Sequence, residues 1–186
     1  MMRRIMHVRV RTFCREIFRN NACRAVSSFT VPERAYLEVR GKDTKTFLQG
    51  VATNDMELLA SFGDCIATAF LTPKGRVLSD AIVYDLTRDK DGKKGIPSVL
   101  IETHTSTHED LARFLSMYRL RAKLKIRTVL NYRTVIAYGN SDSAPGDSIF
   151  SVVDPRHHSL GHRMIYETEV SESTEDGSEE ADKTVV

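Results

Sequence analysis

The chain has little cysteine and no long apolar run, and it carries no sequence signature of the common catalytic classes. Of 186 residues, three are cysteine: Cys14, Cys23 and Cys65. No apolar stretch near the N-terminus is continuous enough for a signal peptide or a membrane span. No Ser-His-Asp set, phosphate-binding glycine loop or dinucleotide fingerprint occurs, so hydrolase and nucleotide-binding readings have no support. No internal repeat is visible.

What is present is an ordinary globular composition with a strong charge asymmetry. Length allows one domain, or two at most. The net charge of +2 hides two biased ends. Residues 1–28 hold seven arginines against one acid, Glu16. This Arg-rich, acid-poor, lightly apolar pattern is that of a mitochondrial transit peptide; the alternative is a basic arm for nucleic acid. Cleavage near Ser27 to Pro32 would leave Cys65 as the only thiol, which fits a reducing compartment. Residues 167–186 hold eight acids against Lys183 and almost no large apolar residue, so a disordered acidic tail is expected there. The folded domain is placed at 29–166.

Within it, Ala35 to Arg40 alternates as a strand does. Asp43 is a candidate N-cap for a short helix with Phe47, Leu48 and Val51 facing inward. Gly63 to Leu71 reads as an apolar strand, turned by Pro73-Lys74-Gly75 into a second strand. Arg88 to Pro97 is a polar loop, and Pro97 to Glu102 is the next strand. Thr107 is the expected N-cap of the best helix, with Glu109 and Asp110 in its first turn and Leu111, Phe114, Leu115 and Tyr118 as a buried stripe. Strands follow at Ala122 to Val129 and Thr134 to Tyr138. After a loop at Asn140 to Asp147, short strands near Ile149 and Met164 close the domain. The expected class is α+β, a mostly antiparallel sheet with two helices.

On the strand after the turn, a period of two puts Leu78, Asp80, Ile82 and Tyr84 on one face. A carboxylate on a core-facing row needs a partner, either a protein donor or a ligand. The same region carries a family resemblance. Gly41-Lys42-Asp43-Thr44-Lys45-Thr46-Phe47-Leu48-Gln49-Gly50 with Thr53-Asn54-Asp55 resembles the opening of the folate-binding YgfZ/GcvT superfamily. The Leu71-to-Tyr84 hairpin resembles its second signature, and Tyr118-Arg119-Leu120-Arg121-Ala122-Lys123-Leu124-Lys125-Ile126 its third. Asp154-Pro155-Arg156 with Leu160-Gly161-His162-Arg163 resembles its fourth. The branch most similar is the mitochondrial one that assists maturation of four-iron, four-sulfur proteins.

That resemblance implies a matrix protein working with cluster-assembly proteins and client apoproteins, by binding rather than by turnover, with tetrahydrofolate as its cofactor. The aminomethyltransferase branch presents an Asp, an apolar residue and a Tyr to the pterin, and these positions match Asp80, Ile82 and Tyr84. A carboxylate there would accept charge-assisted hydrogen bonds from the donor edge of the ring. The alternative functions are a tetrahydrofolate-dependent aminomethyl transferase and a small RNA-binding module. The family's Lys-Gly-Cys segment has no counterpart here, and the resemblance covers only the family's N-terminal half. Cys65 therefore inherits no role from that segment.

Three further features are weighed. Arg119, Arg121, Lys123, Lys125 and Arg127 alternate, so as a strand they would form one basic ridge, suited to phosphates, a folate polyglutamate tail or solvent. No aromatic residue interleaves with them, which disfavours single-stranded nucleic acid. His104 with His108, and His158 with His162 beside His157, have ligand-like spacing but no third and fourth ligand, so no directly bound metal is expected. Cys65, in an apolar strand, reads as inert core.

Overall fold

The computed structural model describes residues 27–88, 95–138 and 148–168. Most of the transit-peptide segment, most of the acidic tail, most of the loop at 88–97 and the whole loop at 140–147 lie outside the described residues. Ser27 and Ser28, placed before the domain by composition, already form strand with Tyr138 and Ala137.

The fold is of the α+β class expected from the sequence, with antiparallel strands and two helices, but its strands divide between two sheets and not one. The first holds β2 (Arg34–Gly41), β3 (Cys65–Leu71), β4 (Val77–Asp85), β5 (Ser98–His104) and β6 (Leu124–Val129). Its order is β3-β4-β5-β2-β6. The second holds β1 (Ser27–Thr30), β7 (Tyr132–Tyr138), β8 (Phe150–Val153) and β9 (His162–Glu167), in the order β1-β7-β9-β8.

Helices α1 (Thr44–Gln49) and α2 (Thr105–Tyr118) cover one face of the five-stranded sheet. Leu48, Leu111, Phe114 and Leu115 pack there on Leu37, Val39, Val83 and Ile101. Each such side chain contributes about 1.5–3 kcal/mol by leaving water. Tyr118, expected in the stripe, is 38% exposed because it ends the helix, and it keeps only a ring contact with Phe114 at 4.5 Å. The start of α2 also differs. His104, not Thr107, is the N-cap, its Nδ1 accepting from the Ser106 amide at 3.1 Å. Glu109 and Asp110 therefore fall beyond the first turn. Thr107 instead joins Ser79 and Thr103 in a hydroxyl cluster that fastens α2 to the sheet.

The other face of the five-stranded sheet is covered by the second sheet. Tyr36, Ile82, Tyr84 and Leu100 pack there against Phe150 and Ile165. Two glycines of the family-like motifs permit close approaches. A Cβ on Gly41 would sit 2.2 Å from the Lys123 carbonyl oxygen, and one on Gly161, at φ +84°, 2.3 Å from that of Ala137. No helix among the described residues is long and apolar enough to cross a membrane.

Candidate functional site

The face of β4 that was read as a ligand wall is divided along its length. Asp80 is exposed, whereas Ile82 and Tyr84 are buried under the second sheet. The expectation of a core-facing Asp80 is therefore corrected: the cover centres on Tyr84, whose ring stacks on Phe150 at 5.7 Å, and stops short of Asp80. Among the described residues the Asp80 carboxylate has no side-chain partner, so it is open to an external donor. Leu78 also leaves the row. The ladder pairs Leu71 with Val77 and Phe70 with Ser79, and this irregularity lets Leu78 pack on the helix side.

Tyr84 is occupied. Its hydroxyl donates to Glu102 Oε2 at 2.7 Å and accepts from Arg163 Nε at 3.1 Å. Burial and then the Glu102 charge push its pKa well above the ordinary value. These bonds belong to a buried ionic network that joins the sheets. Arg163, fully buried on β9, also donates to Glu102 Oε1 and, at 3.0 Å, to Asp154 Oδ2. Arg34 reaches Glu102 at 3.3 Å, and Arg156 grips both oxygens of Asp154 at 2.9 and 2.8 Å. Burial alone would raise the Asp154 pKa, but the bonds from Arg156 and Arg163 hold it down at about 2. Burial opposes the Arg163 charge, and Tyr84 and Glu102 more than offset it, so the guanidinium stays protonated.

The sequence placed Asp154, Arg156 and Arg163 in motifs without finding their partner. The available signal was Glu102, another carboxylate in an apolar strand. Motif residues elsewhere are also structural. Lys45 ion-pairs with buried Asp85 at 3.2 Å and donates to the Leu59 carbonyl. Asn54 Nδ2 donates to the Ala67 carbonyl at 2.8 Å, tying its loop to β3. Asp43 stands at the N-cap of α1 but makes no capping bond; its carboxylate accepts from the Lys123 amide at 2.7 Å.

The basic run does not form one strand face. Residues before Leu124 precede β6, and Arg119 caps α2, its guanidinium donating to the Leu124 carbonyl at 3.3 Å. Arg127 pairs with Glu38, Nε to Oε2 at 2.6 Å. His104 meets Glu33 at 3.0 Å while His108 is buried against Thr128 Oγ1 at 3.2 Å, so that pair does not converge. Among the described residues no three His, Cys, Asp or Glu side chains gather as metal ligands. The Cys65 thiol is pushed up to about 11, by burial first and by Asp154 second.

In order along this fold lie the four motifs that resemble the YgfZ/GcvT superfamily. No protein-family model matches the chain. Curated proteins do match. The chain is 29% identical over 163 residues to the mitochondrial iron-sulfur cluster assembly factor IBA57 homolog of Mycosarcoma maydis, covering 80% of this chain and 40% of that protein. It is 35% identical over 138 residues to the Pyricularia oryzae homolog, covering 71% and 33%. It is 35% identical over 157 residues to the Mus musculus factor, covering 76% and 43%. Over this shared region the chain is a homologue of the IBA57 iron-sulfur cluster assembly factors, and it spans 33 to 43% of the length of these three relatives. Among solved structures, the glycine cleavage system aminomethyltransferase T of Bartonella henselae is similar. The TM-score is 0.49 at 14% identity, over 62% of this chain and 29% of that one.

Proposed function

We propose that this chain acts in mitochondrial iron-sulfur cluster assembly, in the matrix, as a binding partner in the maturation of four-iron, four-sulfur proteins. The similarity to cluster assembly factors of both fungi and a mammal supports this reading. Cys65 favours a scaffold over a sulfur nucleophile or cluster ligand. At neutral pH a thiol held near 11 is almost wholly protonated. In this reading Cys65 handles no cluster, and the fold would hold partner proteins and client apoproteins. Expression of the chain in cells depleted of their own assembly factor tests the proposal. Restored mitochondrial aconitase and lipoate-dependent activity is expected. No rescue by this chain, where a longer relative succeeds, overturns it.

The same reading gives Asp80 a role toward tetrahydrofolate, as an exposed carboxylate that accepts from the donor edge of a pterin. Ile82 and Tyr84 do not offer their faces to a ligand in this arrangement, so they would support the strand and leave the contact to Asp80. Tetrahydrofolate, when bound, would supply one-carbon chemistry; what this chain supplies is the acceptor. Titration with tetrahydrofolate should show weaker binding in Asp80→Ala at an unchanged melting temperature. Equal affinity in both proteins removes Asp80 from such a site.

A further inference from the structure

At one edge of the five-stranded sheet, β2 and β6 form a cavity of about 690 Å³. This lies within the roughly 300–1,000 Å³ range of small-molecule sites. Its exposed apolar surface comes from Ile96, which is 58% exposed, because Leu124 also borders it but packs into the helix-side core. Cations surround it. Lys125 pairs in register with Arg40, and Arg127 with Glu38. Glu38 already accepts from Arg127 and from Ser98 Oγ, so the one carboxylate that lines the cavity among the described residues is satisfied from within. Arg40, Lys123 and Lys125 line the same cavity, are exposed, and have no carboxylate partner among the described residues.

We propose that this cavity binds a small organic polyanion, its flat or apolar body on Ile96, its phosphate or carboxylate groups on Arg40, Lys123 and Lys125. Lysines on an edge strand also discourage edge-to-edge pairing. That purpose requires neither a cavity nor an exposed isoleucine set among the charges. The site is separate from Asp80. Through the ladder Asp80 lies level with Arg34, whereas the cavity begins at Glu38. Four residues at about 3.3 Å put roughly 13 Å between them along β2, and β4 and β2 are further separated by β5. The covering sheet lies over Tyr84 and Leu100 in between. The inference therefore stands whether or not Asp80 meets a folate.

The test is calorimetric titration of the full chain with three probes. ADP carries phosphates on a flat body, trimesate carries carboxylates on one, and pyrophosphate carries phosphates alone. Saturable binding of ADP or trimesate, tighter than that of pyrophosphate and weakening as salt rises, is expected. The probe that binds identifies the anionic group. The doubly substituted Arg40→Ala, Lys125→Ala protein, both changes being on the surface, should keep its melting temperature and bind roughly 5- to 30-fold more weakly. Absence of saturable binding by all three probes overturns the proposal, as does equal affinity in the substituted protein. Tighter binding of a short single-stranded RNA than of any small anion also overturns it, making the edge a nucleic-acid face.

Discussion

The two faces of the five-stranded sheet are buried by different physics. On the helix side the contact is mostly aliphatic and aromatic, with a neutral hydroxyl cluster and the single Lys45–Asp85 ion pair at its margins. On the other side, Tyr36, Ile82, Leu100 and Phe150 surround a fully enclosed guanidinium and the carboxylates that neutralise it. Apolar contacts are non-directional, so the helix layer can adjust by sliding and repacking. A buried ion network has one good geometry and fails when a member is removed, because the remaining charge is left without water or partner. The helix layer supplies stability, whereas the network fixes how the two sheets dock.

The sharpest break in this comparison is Arg163→Ala. It leaves Glu102 and Asp154 enclosed with part of their donors gone, and a loss of about 3–5 kcal/mol is expected by urea unfolding. A loss under 1 kcal/mol would mean that the network is not enclosed. On the helix side Leu115→Ala should cost about 2–5 kcal/mol, through lost transfer energy and the cavity left behind. Leu115→Met should recover most of it, since volume-conserving swaps are tolerated. No conservative substitution should rescue Arg163 in the same way; even Lys lacks the planar fork that reaches three partners.

Acid separates the faces without mutation. Asp154 has a folded pKa of about 2, below the ordinary value of 3.8. A depressed carboxylate contributes stability that is fully present above its unfolded pKa and is lost as pH falls through the folded one. The contribution is about 2 kcal/mol. Unfolding free energy should therefore decline from about pH 5 toward pH 2. In Asp154→Asn this part of the decline should vanish. A pH profile identical in the two proteins would show that Asp154 is not held by Arg156 and Arg163.

How much of this was legible follows from the range of each interaction. The buried positions Leu111, Phe114 and Leu115 are local in sequence and were readable from their spacing. The second sheet was not, since β1 finds β7 across about a hundred residues and no local pattern records that pairing. Arg163 and Glu102 stand 61 positions apart, so each looked like a lone charge. The basic run misled for another reason: a period of two has meaning only inside a strand, and β6 starts at Leu124. Asp80 lay on the expected strand, but burial depends on where the covering sheet ends, which β4 itself does not encode.

Asp80 also provides the smallest effect and the finest test of that boundary. Asp80→Ala should change stability by no more than about 0.5 kcal/mol, as at ordinary surface positions. Ile82→Ala, two residues along the same face, should cost about 2–5 kcal/mol because its side chain lies under the second sheet. Urea unfolding of the pair measures how abruptly the cover stops. A large loss on removing Asp80 would place its carboxylate inside the core with a partner, and the open acceptor assigned to tetrahydrofolate would disappear with it. A negligible loss, together with weakened tetrahydrofolate binding, would separate a ligand contact from a structural one at a single residue.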